Sequence, residues 1–125
     1  MFKILVVDDS WLTRRGVKRI LSTEGYEVCE AENGLQGLEI LEESKSKIDA
    51  VILDLLMPEM NGVTFLETMK QKQMKLPVVV LTADIQNTVK QKCIDIGASF
   101  FLNKPPEPAE LLEALGKLLN PVSNG

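Results

Sequence analysis

Three runs of consecutive aliphatic residues constrain this chain more than anything else in it: Ile4–Val7 (ILVV), Ala50–Leu53 (AVIL) and Val78–Leu81 (VVVL). A strand with one wet face alternates apolar and polar side chains, so an unbroken run belongs to a strand covered on both faces. Two less apolar stretches, Tyr26–Glu30 and Ser99–Leu102, complete a set of five strand candidates that begins with Lys3–Val7. Between and after them apolar residues recur at helical spacing: Val17, Ile20 and Leu21; Leu38 and Leu41; Leu66 and Met69; Val89, Cys93 and Ile96; Leu111, Leu112, Leu115, Leu118 and Leu119. Breakers stand at the joints: Gly25, Gly34, Pro58, Gly62, Pro77, Gly97 and Pro105–Pro106. Strands alternating with helices at this spacing predict a parallel sheet with right-handed crossovers and helices on both faces. The fold class is α/β, a single doubly wound (βα)5 domain over residues 1–120, followed by a loose tail at 121–125. The second strand carries Glu27 and Glu30 around Val28, which suits a sheet edge.

Composition narrows the function. With 125 residues the chain makes one domain, and its net charge of −4 argues against non-specific nucleic-acid binding, which needs a basic face. No apolar run approaches the ~20 residues of a membrane span, and Met1 leads straight into a strand rather than a signal peptide. Cys29 and Cys93 lack metal-ligand spacing and lie in apolar patterns, as reduced core residues of a cytoplasmic protein do. The chain has no histidine, which excludes imidazole-based metal sites and nucleophiles.

Ligands of such sheets bind beyond the carboxyl ends of the strands. The first strand delivers Asp8 and Asp9 there, the third Asp54, the fourth Thr82 and Ala83, and the fifth Asn103 and Lys104, with Glu30 and Glu32 at the margin. Two carboxylates about 4 Å apart repel by roughly 4 kcal/mol at an effective dielectric near 20. Lys104 offsets one of the three charges, and a divalent hard cation would balance the rest. Carboxylates, a main-chain carbonyl and water suit Mg²⁺ or Mn²⁺, and Mg²⁺ commonly shares its shell with a phosphate.

The segments VDDS, LDLLMPEMNG, LTAD and NKP, in this order and spacing, resemble the receiver domain of bacterial two-component response regulators, across essentially the whole chain. The likeness is to the single-domain, chemotaxis-type regulators. It implies a flavodoxin-like sheet of order 2-1-3-4-5, the order this family itself exemplifies. It also implies that Asp54 is the nucleophile that takes a phosphoryl group from a sensor histidine kinase or phosphotransfer protein. Asp9 and Asp54 would hold Mg²⁺ with the Leu56 carbonyl, and Asp8 would reach it through water. Thr82 and Lys104 would contact the phosphoryl oxygens, and Ala83 would leave room for them. The bond Lys104–Pro105 would be cis.

By the same resemblance Thr82 and Phe101 form the switch, where Phe101 replaces the frequent tyrosine and must act by packing alone. Output would pass through the face of the fourth helix, fifth strand and fifth helix, where Lys90, Gln91 and Lys92 lie, to a downstream protein target. A phosphatase is a further possible partner. The chain would be a cytoplasmic monomer and no conventional enzyme, catalysing only its own phosphorylation and slow dephosphorylation. Leu56 and Asp84 flank the phosphate positions; an apolar Leu56 should hinder water and lengthen the phosphoryl lifetime. Residue-level alternatives are a helix-capping role for Asp8 or Asp9, the same for Thr82, a core-packing role for Trp11, and a turn role for Asn61. At the level of the whole chain the alternative is a pseudo-receiver that binds partners without phosphate.

Overall fold

The computed structural model describes residues 1–43, 47–83 and 86–120. Strands and helices alternate strictly: β1 (Lys3–Val7), α1 (Trp11–Ser22), β2 (Glu27–Ala31), α2 (Gly34–Glu42), β3 (Ala50–Leu53), α3 (Gly62–Gln71), β4 (Val78–Thr82), α4 (Asn87–Ile96), β5 (Phe100–Asn103) and α5 (Pro108–Leu119). The sheet is parallel, in the order β2-β1-β3-β4-β5. The three aliphatic runs are therefore its three central strands, and every residue of β3 and β4 is buried.

Two apolar layers enclose the sheet. On one face Val17 and Leu21 of α1 and Leu111 and Leu115 of α5 pack against Ile4, Val6, Ile52, Val79 and Leu81. On the other, Leu38, Phe65, Leu66, Met69 and Cys93 from α2, α3 and α4 cover Leu5, Val7, Val51, Leu53, Val78 and Val80. Alternate residues of each central strand thus serve opposite layers, which is why none of them can be polar until the strand ends.

Strand boundaries differ by one residue from the sequence-based ones at both edges of the sheet. Tyr26 falls outside β2 because its N–H is held by the Leu21 carbonyl at the end of α1 (3.2 Å). In exchange Ala31 joins, opposite Val7. At the far edge Thr82 pairs with Asn103, so β4 and β5 run one residue further toward the site. Cys29 is half-buried on the edge strand while Cys93 is fully buried. Asp84 and residues 121–125 lie outside the described residues. No helix of the described residues is long and apolar enough to cross a membrane.

Candidate functional site

Asp54 follows directly on β3, and its main-chain N–H donates to the Val7 carbonyl at 3.0 Å, continuing the sheet one residue past the strand. Asp8 does the same from β1, donating to Ala31 at 3.1 Å. The ladder therefore carries both carboxylates to the same height before either chain turns away. Both are buried, 3% exposed for Asp8 and 4% for Asp54. Asp9 is exposed, yet one carboxylate oxygen from each of Asp8, Asp9 and Asp54 lies within 4.8 Å of the others.

Lys104 comes in from the end of β5. Its Nζ stands 2.8 Å from Asp8 Oδ2 and 3.1 Å from Asp54 Oδ2, bridging the two buried carboxylates. Its own N–H donates to the Thr82 carbonyl at 2.9 Å, which locks the base of the lysine to β4. The Lys104–Pro105 peptide is cis. Thr82 is fully buried and Ala83 after it is exposed. Leu56 projects outward, 57% exposed, while its N–H approaches Asp54 Oδ1 at 3.3 Å. Phe101 is half-buried on β5, opposite Val80 and against the α2–α3–α4 layer.

The electrostatics follow from this packing. Burial raises the Asp8 carboxyl above its ordinary pKa; the Lys104 ammonium and the Ser10 N–H oppose that rise, and the Asp54 charge adds to it. Burial by itself would lower the pKa of Lys104, but its bonds and charge contacts with Asp8 and Asp54 outweigh it and the ammonium is held above its usual value. Among the described residues one cation faces three carboxylates, which leaves negative charge uncompensated, and the ligand atoms they offer are oxygens. That donor set fits a hard divalent cation and no soft one.

Capping roles fall elsewhere than the sequence suggests. Ser10 is the N-cap of α1, its Oγ accepting from the Thr13 N–H at 3.2 Å. That leaves Asp8, whose Oδ1 accepts from the Ser10 N–H at 2.8 Å, and Asp9 free of helix duty. The N-cap of α4 is Gln86, so Thr82 does not cap it. Asn61 caps α3 by accepting from the Thr64 N–H at 2.9 Å, a firmer role than a turn residue. Trp11 does not pack into the core: it is 59% exposed, with the Arg15 guanidinium 5.1 Å from its ring.

Two contributors were not singled out from the sequence. Gly62, read there only as a breaker, opens α3 against the backbone of the Asp54 loop; a Cβ on it would stand 2.5 Å from the Asp54 carbonyl oxygen. Arg14, one of four cations on α1, is buried against the Asp8 carbonyl. The spacing of the sequence carries no signal for either contact.

The family model of the response regulator receiver domain matches residues 4–116. The chain belongs to that family. Among curated relatives, this receiver domain is 39% identical to the chemotaxis protein CheY of Bacillus subtilis over 94% of its own length and 98% of that protein's. It is 34% identical to sporulation initiation phosphotransferase F of the same organism, over 98% and 97% of the two chains. Among solved structures it superposes with a TM-score of 0.87 on a chain of the CheX–CheY–BeF3–Mg²⁺ complex of Borrelia burgdorferi, at 28% identity, covering 93% of this receiver domain and 87% of that chain.

Proposed function

We propose that this receiver domain is a phosphorylation-driven signalling switch in a two-component phosphorelay, with Asp54 as the phosphoryl acceptor. The observation that carries the reading is the meeting of a buried carboxylate with a bridging ammonium: Lys104 Nζ lies 3.1 Å from Asp54 Oδ2, inside a three-carboxylate cluster. A carboxylate with a cation already against it can attack a phosphorus atom, since the charge that gathers on the transferring oxygens has a partner waiting. An oxygen of Asp54 bonds to the phosphorus of a phosphohistidine on a kinase or phosphotransfer partner, the P–N bond breaks, and an acyl phosphate remains.

In this reading Asp9 and Asp54, with the Leu56 carbonyl, would hold Mg²⁺ (or Mn²⁺) directly, and Asp8 would reach it through water. When bound, the ion screens the carboxylates from the incoming phosphoryl group. Lys104 supplies a point charge to one phosphoryl oxygen and the Thr82 hydroxyl a hydrogen bond to another, while Ala83 leaves the group accessible. Movement of Thr82 toward the phosphoryl oxygen opens space beside Phe101, and the face of α4, β5 and α5 changes with it. Lys90, Gln91 and Lys92, all exposed on α4, belong to that face. The output is contact with a protein target, in chemotaxis or a related pathway, and the relative captured with CheX and Mg²⁺ supports both the divalent site and a dedicated protein partner.

Intact mass after incubation with a small phosphodonor tests the reading. A Mg²⁺-dependent gain of one phosphoryl group, absent in Asp54→Asn, is the expected result. No gain under any condition would refute it and leave a phosphate-independent binding module. The lifetime of the product gives a second check: Leu56→Asn places an amide that can orient water beside the acyl phosphate, and decay should become several-fold faster. Unchanged decay would remove the idea that the exposed Leu56 shields the bond.

A further inference from the structure

Helix α1 carries Arg14, Arg15, Lys18 and Arg19, and three of them point to solvent. Arg14 does not; it is 8% exposed. A guanidinium is withdrawn from water only at a cost, unless its donors are used well. Here Nη1 donates to the main-chain carbonyl of Asp8 at 2.6 Å and Nε to Glu30 Oε1 at 3.0 Å. The fork joins a helix, the edge strand β2 and the loop that leaves β1.

The gripped carbonyl belongs to the peptide plane that links Asp8 to Asp9. Because that plane is rigid, holding its oxygen also fixes the Asp9 nitrogen and the two Cα atoms from which the carboxylates spring. The remaining atoms of Asp8 are held by other groups: its N–H by Ala31 at 3.1 Å, Oδ1 by the Ser10 N–H at 2.8 Å, Oδ2 by Lys104 at 2.8 Å. Arg14 supplies the bond on the carbonyl side.

We infer that Arg14 is a positioning residue for the metal carboxylates, and that Glu30 both aims it and cancels its charge. The inference rests on the reading of Asp8, Asp9 and Asp54 as a divalent-cation site. Its sign makes it distinctive. By charge alone, removing a cation beside a metal site should tighten metal binding. If Arg14 instead sets the geometry of the ligands, its removal should loosen binding, as loss of an outer partner of metal ligands does.

Direct titration with Mn²⁺, following the free ion by electron paramagnetic resonance at fixed ionic strength, tells the two apart. In Arg14→Met the dissociation constant should rise about tenfold. Arg14→Lys, able to reach the carbonyl but not Glu30 as well, should fall between. Glu30→Gln should weaken binding too, because the guanidinium is left uncompensated and unaimed. Lys18→Met, which removes an exposed charge from the same helix, should stay within twofold of wild type or bind slightly tighter. A folded Arg14→Met that binds Mn²⁺ as well as wild type overturns the inference, even if it melts earlier. Should Arg14→Met fail to fold, wild-type affinity in both Arg14→Lys and Glu30→Gln overturns it equally. A wild-type chain that takes up no Mn²⁺ defeats the site reading itself, and this inference falls with it.

Discussion

At Gly62 the demand for glycine comes from closeness rather than from backbone angle. A methyl group there would meet the Asp54 carbonyl oxygen at 2.5 Å and the Leu55 Cα at 2.7 Å, both main-chain atoms that cannot swing aside. Gly62→Ala should therefore destabilise the fold by about 1–3 kcal/mol, the usual cost of overpacking, measured as a lower urea midpoint with an unchanged slope. A midpoint equal to wild type would mean that the loop yields freely. At Asp8 the same close packing acts on a charge. Burial first, and then the Asp54 charge, raise its folded-state pKa despite Lys104 and Ser10. A group so raised adds stability below its unfolded pKa, and that stability is lost as pH climbs through the folded value. In metal-free protein at neutral pH the Asp8 carboxyl is thus a net cost to the fold. Asp8→Asn should melt higher than wild type in EDTA at pH 7, with the gap closing at acid pH where both side chains are neutral. A lower melting temperature at pH 7 would contradict this sign.

Helices α1, α2 and α3 are each started by a short polar side chain, and at α1 capping and site chemistry are divided between neighbours. Ser10 caps α1 so that Asp8 and Asp9 need not, Asn33 caps α2, and Asn61 caps α3 below the Asp54 loop. Had Asp9 capped α1, its carboxylate would have been turned onto helix N–H groups and away from Asp54. Ser10→Ala, which removes the Oγ cap while keeping the N–H that binds Asp8, should cost about 1 kcal/mol in urea unfolding. No loss would mean that water replaces the cap. At the other end of α4, Gly97 sits at φ 125°, a backbone region that side chains avoid, and turns the chain directly into β5. That turn sets where β5 begins, and so how far Lys104 reaches beyond its end.

On the scale of the whole molecule, a domain of net charge −4 keeps an excess of carboxylate at one end of its sheet, where Asp8 and Asp54 are both buried. The stability lost to that crowding is recoverable by a cation that binds only the folded state. At ten times its dissociation constant Mg²⁺ should add about 1.4 kcal/mol. For a chain of this length that is a rise of several degrees in melting temperature. Asp54→Asn, which removes one ligand and one charge, should shrink the Mg²⁺-induced rise; an equal rise in both proteins would place the ion somewhere else.

Local sequence dictates the layers and which polar groups stand at one end of them. Unbroken aliphatic runs belong where helices cover both faces, so β1, β3 and β4 are central by composition alone, and the residues that end those runs emerge at the same edge of the sheet. Asp8, Asp54, Thr82 and Lys104 were legible for that reason: the signal is local, a change from apolar to polar at a strand end. Edge-strand limits were less legible, because Tyr26 gives its N–H to the end of α1 and that choice depends on how the helix docks. Tertiary structure alone decided that Trp11 faces water beneath Arg15, that Gly62 touches the Asp54 backbone, and that Arg14 reaches the Asp8 carbonyl while Arg15, next to it, does not. Those facts are distances between elements, and spacing along a chain fixes which face a residue occupies but not what the fold brings up against it.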